Sequence, residues 1–153
     1  MEINNRVIIE AKKFLGTPFY HSGRSTLGID CAGLLYLSYH RAGIDLPKGD
    51  GRSYTVGWWK RTTEDRLKNA LLKTGFVELL DNQLPDKGDI CLFRLYGVKY
   101  PAHHNGIMLD SVNFIHAKCG WRSVDKKVGI DSLNSYYSDK GRLDSILRYK
   151  DFM

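Results

Sequence analysis

The chain has 153 residues, 42% of them apolar and 26% charged, with a formal charge of +6 at pH 7. That length buries a core without staples, and three cysteines with no CxxC spacing argue against a disulfide framework. No run reaches the ~20 apolar residues of a membrane span. The scattered basic residues, with no arginine-rich arm or zinc-finger spacing, argue against nucleic-acid recognition, which stays a third reading, and favour another anionic polymer such as bacterial cell wall.

In chain order, Met1 to Asn5 shows no basic or apolar leader, so no secretory signal is visible and the chain is expected in the cytoplasm until something else carries it out. Val7, Ile8, Ala11, Phe14 and Leu15 predict a helix over 5–15 that Gly16 ends. Thr17-Pro18 forces extended chain through Phe19-Tyr20-His21. Ser22 to Gly28 has loop composition. Asp30 then reads as the N-cap of a buried helix that starts at Cys31 and stops at Gly43. The aromatic stretch Tyr54 to Trp59 is either a packing anchor or a cleft wall, and Thr62 to Asp65 opens another amphipathic helix closed by Gly75. From Phe76 the texture changes to short apolar runs between turns, with strands expected at 76–80, 89–94, 104–109, 113–117, 121–124 and 143–149. Helices first and strands afterwards predict an α+β domain over 1–153, with the Cys31 helix packed on an antiparallel sheet of five or six strands.

The chemistry gathers around Cys31. A cysteine in the first turn of a helix meets unpaired N–H groups and the positive end of the macrodipole, which favour a thiolate; a buried core cysteine is the alternative. His104 and His116 shift the balance, because a cysteine with distant histidines is a candidate nucleophile and base. His104 opens a strand, and a turn near Asp110-Ser111 would bring His116 back beside it to orient the imidazole. The Cys31 N–H would be one oxyanion donor. Cys91 reads as core and Cys119 as exposed loop. A metal site built from His103, His104, His116 and Cys119 lacks a recognised ligand spacing and gives Cys31 no role.

These residues together resemble the NlpC-type cell-wall cysteine peptidases, which have a papain-like core. The likeness runs through Gly16-Thr17-Pro18-Phe19, Gly28-Ile29-Asp30-Cys31-Ala32-Gly33-Leu34, Ala42-Gly43-Ile44-Asp45-Leu46-Pro47, Lys87-Gly88-Asp89-Ile90, His104-Asn105-Gly106-Ile107 and Phe114-Ile115-His116-Ala117. It implies a single peptidase domain with Cys31 as nucleophile, His104 as base and His116 as the third polar residue, and no metal or cofactor. The substrate it implies is the stem peptide of peptidoglycan, cut between γ-D-glutamate and the diamino acid. The opening through His21 is most similar to phage and prophage members, implying tail proteins as partners and action at the wall after incorporation into a particle. The family's tyrosine twelve residues before the cysteine is Phe19 here, so Tyr20 or His21 substitutes or the contact is absent. Its usual Gly-Gly is Ser22-Gly23, and the long segment 53–83 would carry Trp58 and Trp59 as a specificity wall. The same residues would also serve an amidase, a transglutaminase-like enzyme or another acyltransferase, or a non-catalytic tail-assembly or wall-binding protein that has kept the fold.

Overall fold

Short apolar runs need partners on both sides, and here they find them in one antiparallel sheet. In the computed structural model, which describes residues 1–47, 49–119 and 125–153, the strands are β1 (Arg24–Ser25), β2 (Gly28–Ile29), β3 (Phe76–Glu78), β4 (Ile90–Phe93), β5 (His104–Met108), β6 (Asn113–Ala117), β7 (Val128–Ser132) and β8 (Leu143–Tyr149). Six of them form the main sheet in the order β3-β8-β4-β5-β6-β7, while β1 and β2 make a separate hairpin. The helices are α1 (Ile3–Lys12), α2 (Cys31–Arg41) and α3 (Arg66–Leu72). The α+β expectation holds, with helices packed on a six-stranded antiparallel sheet.

The two faces of β4 show why the sheet is covered on both sides. Ile90 and Leu92 pack with Val7 and Ala11 of α1 and Leu34, Leu35 and Tyr39 of α2. Cys91 and Phe93 face a smaller cluster with Met108 and Phe114, which Leu133 and Tyr137 cover. All four β4 residues are buried, so at ~25 cal/mol per Å² this strand is a main hydrophobic anchor.

Several boundaries moved. α1 stops at Lys12 and the chain turns through Gly16, so Phe14 reaches the core from a turn. β1 and β2 fall in a stretch expected to be loop, because two-residue strands carry no periodicity. β7 was not anticipated, and the strand expected at 121–124 lies outside the described residues. Among the described residues, no helix is long and apolar enough to cross a membrane.

Two long-range ties brace the sheet. The segment after α1 lies along β7, where Gly16 N–H donates to Val128 O (3.0 Å), Val128 N–H to Thr17 O (2.9 Å) and Phe19 N–H to Lys126 O (2.7 Å). On the far side, buried Asp89 accepts from Arg148 Nε (2.9 Å) and Nη2 (2.7 Å), joining β8 to the start of β4.

Candidate active site

Asp30 begins the site. Its backbone is extended, and its Oδ1 accepts from Gly33 N–H at 2.8 Å, which caps α2 and sets Cys31 as the first helical residue. Asp30 is 3% exposed, and its other contacts come from the loops above it. Oδ2 accepts from Ser22 N–H at 2.8 Å, Oδ1 from Arg24 Nη1 at 2.6 Å, and the Tyr54 hydroxyl also donates to Oδ2. Arg24 Nη2 in turn donates to the Tyr54 hydroxyl oxygen at 2.9 Å. The hairpin carrying Arg24 sits so close to α2 that a Cβ on Gly33 would lie 2.4 Å from Gly23 O.

Cys31 is only partly exposed, and its Sγ makes a long 4.0 Å contact with His103 O. Burial, reinforced by the Asp30 carboxylate, pushes its thiol up to about 12. The thiolate expected from the helix position is therefore not the resting form. A helix terminus contributes ~0.3–1 kcal/mol, whereas burying a charge costs several kcal/mol. The larger effect wins, and the resting group is a thiol.

β5 divides its first residues between the two sides. Asn105 Nδ2 donates to Cys31 O at 3.1 Å, tying the strand to the first turn of α2. The His104 ring lies among aromatic groups and bonds through Nε2 to His116 Nδ1 at 2.8 Å. The turn forms as expected, with Asp110 Oδ1 accepting from Val112 and Asn113 N–H, both at 2.7 Å. Phe93, Phe114 and Tyr137 surround the histidine pair, with Phe114 4.7 Å and Tyr137 5.1 Å from the His116 ring centre. Burial holds His104 well below the ordinary histidine range, aided by the neighbouring His116 and His103. It lowers His116 as well, partly opposed by a carboxylate that the sequence reading missed. This is Asp131 on β7, whose Oδ2 lies 2.7 Å from His116 Nε2.

Two cavities meet at Cys31. The larger, about 320 Å³, is shared by Cys31, His104, Phe19, His21, Trp58 and Trp59. The smaller, about 150 Å³, lies on the other side, where Cys31 and Asp30 face Arg24, Tyr36, Tyr54 and Trp58. His103 lines both. It stacks on the buried Trp59 ring with centres 3.9 Å apart, and burial lowers it to about 4. Of the residues expected near the site, Cys31, His104, Asp30, Phe19, His21, Trp58 and Trp59 line these cavities. His116 is brought in behind His104. Tyr20 is 69% exposed and lines neither cavity, so it does not supply the hydroxyl that Phe19 lacks. The hydroxyl nearest the cysteine's helix cap belongs to Tyr54, which loop 49–57 delivers; no local spacing announces it. Cys91 is buried on β4, and Cys119 is exposed at the larger cavity. Among the described residues, no three His, Cys, Asp or Glu side chains are gathered to hold a metal.

A cysteine at a helix start beside a sheet that offers a histidine pair defines a papain-like core. The NlpC/P60 family pattern matches residues 16–146, and the chain belongs to that family. It is similar to the probable peptidoglycan endopeptidase LytE of Bacillus subtilis, with 26% identity over 133 residues, or 87% of this chain and 31% of LytE. The chain thus spans about a third of that relative. Among solved structures, it is similar to an NlpC/P60 family protein from Bacillus cereus, with 25% identity and a TM-score of 0.67, covering 95% of this chain and 40% of that one. It also shares its fold with RipD of Mycobacterium tuberculosis, described as a non-catalytic NlpC/p60 domain protein adapted to peptidoglycan binding. That likeness is at 19% identity and a TM-score of 0.56, over 96% of each chain.

Proposed function

We propose that the chain is a cysteine endopeptidase that hydrolyses stem peptides of peptidoglycan. The observation that carries this reading is that Cys31, capped into the first turn of α2, shares a cavity with His104, whose ring is held by His116. Cys31 is the nucleophile. Because the resting pair is a thiol and a neutral imidazole, His104 removes the thiol proton as sulfur attacks the carbonyl, rather than meeting a preformed thiolate. The Cys31 N–H, which has no acceptor within its own helix, stabilises the developing oxyanion. His104 then protonates the leaving amine, and water releases the acyl group. The bond assigned by family resemblance joins γ-D-glutamate to the diamino acid. Family membership and the likeness to LytE support this substrate, as does a net charge of +6, which favours an anionic wall.

The test is digestion of purified peptidoglycan by wild type and Cys31→Ala, with released fragments weighed by mass spectrometry. Fragments from wild type alone establish the hydrolase, and their masses name the bond. Binding to the wall without release by either protein would instead give the chain a role like that described for RipD. Turnover only of other amides or esters would give an amidase or acyltransferase. A phage-tail setting draws its support from the Gly16–His21 opening, and co-sedimentation with tail particles tests it.

A further inference from the structure

The contacts behind His104 form a line: His104 Nε2 to His116 Nδ1 at 2.8 Å, then His116 Nε2 to Asp131 Oδ2 at 2.7 Å. Each link holds one proton, so the far end decides the near end. We propose that Asp131 is a positioning residue that sets the tautomer of His104 through His116, leaving the Nδ1 lone pair free as the base toward Cys31. This rests on the peptidase reading for its consequence, but not for its chemistry.

Asp131 is held below the usual carboxylate range; burial alone would raise it, but the bond to His116 and the nearby Lys118 ammonium outweigh that. An ionised carboxylate only accepts, so His116 carries its proton on Nε2. His116 is neutral, because burial keeps it from gaining a second proton. Its Nδ1 is then bare and accepts from His104, whose proton must sit on Nε2. With His104 also neutral, Nδ1 is the nitrogen that carries the lone pair. When His104 takes the thiol proton, the new positive charge is compensated along the same line by Asp131.

The register explains how a residue on β7 reaches this position. On β7, Gly129 lies opposite His116 and Asp131 opposite Phe114, so the carboxylate approaches His116 along the diagonal. The absence of a side chain at Gly129 leaves room for Lys118, whose Cε would lie 2.8 Å from a Cβ there and whose Nζ reaches Asp131. Among the described residues, the charged and titratable groups around Asp131 are His116, Lys118 with Nζ at 3.5 Å, and Tyr137, which Asp131 helps to raise. Around His104, among the same residues, they are His116 and His103.

The test needs no variant at its first stage. Long-range ¹H–¹⁵N spectra of ¹⁵N-histidine wild-type protein near pH 7.5 should show His104 and His116 both neutral and both protonated at Nε2. A Nδ1 proton on either ring, or a charged His116, overturns the proposal. In Asp131→Asn the amide can donate to His116 Nε2, which reverses both links and puts the His104 proton on Nδ1. A wrong tautomer costs up to ~10⁴ in kcat. We expect a loss of at least ~10²-fold in kcat on soluble muropeptides with KM nearly unchanged, together with the tautomer change. Asp131→Glu should restore the wild-type tautomer. Unchanged tautomers in Asp131→Asn refute the proposal whatever the rate does. If wild type shows no turnover at all, the peptidase reading fails while the spectra still decide the tautomer.

Discussion

Replacing Asp30 by Asn keeps the shape of the α2 cap and removes its charge. The Oδ1 contact to Gly33 N–H survives, so the capping contribution of about 1 kcal/mol is retained. What changes lies on the second oxygen, which accepts from Ser22 N–H and the Tyr54 hydroxyl. An amide nitrogen there faces two donors, and the ion pair to Arg24 is lost. Arg24 is about a third exposed and recovers water, so the main cost is two misdirected hydrogen bonds at a buried site. At ~1–2 kcal/mol each, Asp30→Asn should lose about 2–4 kcal/mol. For a chain of this size that lowers Tm by roughly 4–16 °C. The same change removes the negative neighbour that helps to raise the Cys31 thiol, so that thiol should ionise at lower pH than in wild type. The assay pairs a thermal melt with iodoacetamide labelling across pH, following the Cys31 peptide by mass spectrometry so that exposed Cys119 does not interfere. A Tm within ~2 °C of wild type, or an unmoved Cys31 labelling curve, would refute this account of Asp30.

Three further outcomes are expected. Stability should be highest between about pH 6.5 and 9 and fall on either side. Below 6.5 the unfolded chain binds protons that buried His104 and His116 refuse, and above 9 it releases the Cys31 proton that the folded state retains up to about 12; denaturant melts across pH check both limbs, and a maximum near pH 5 would contradict the histidine assignment. Arg148→Gln strands the buried Asp89 carboxylate and should cost ~3–5 kcal/mol, with a smaller deficit at low pH, where Asp89 protonates; equal deficits at pH 5 and 8 would count against it. Gly33→Ala puts a methyl 2.4 Å from Gly23 O and should cost ~1–3 kcal/mol by pushing the β1–β2 hairpin off α2, seen as a lower Tm and faster labelling of Cys31.

Much of the site could be read from local chemistry. Asp30 before Cys31 is a capping signal, and the β5–β6 hairpin follows from two apolar runs around Asp110, which together put His104 and His116 in reach. Asp131 could not be read this way. Val128–Ser132 contains a glycine and alternates weakly, and its carboxylate meets His116 only through cross-strand register. Tyr54 was hidden for a similar reason, since only tertiary structure carries loop 49–57 to Asp30. The thiolate expectation failed differently: helix position is visible in sequence, but the desolvation that outweighs it depends on how deeply the completed fold covers Cys31.

The position of β8 has a consequence for biosynthesis. This strand follows every other strand of the sheet in chain order, yet it lies inside the sheet between β3 and β4 rather than at an edge. A nascent chain therefore contains Cys31 and His104, and then Asp131, before their platform can close. Until Leu143–Tyr149 emerges, β3 has no strand partner and β4 has only β5. A chain made only that far thus has the reactive groups without the whole sheet beneath them, and the sheet closes in one late step.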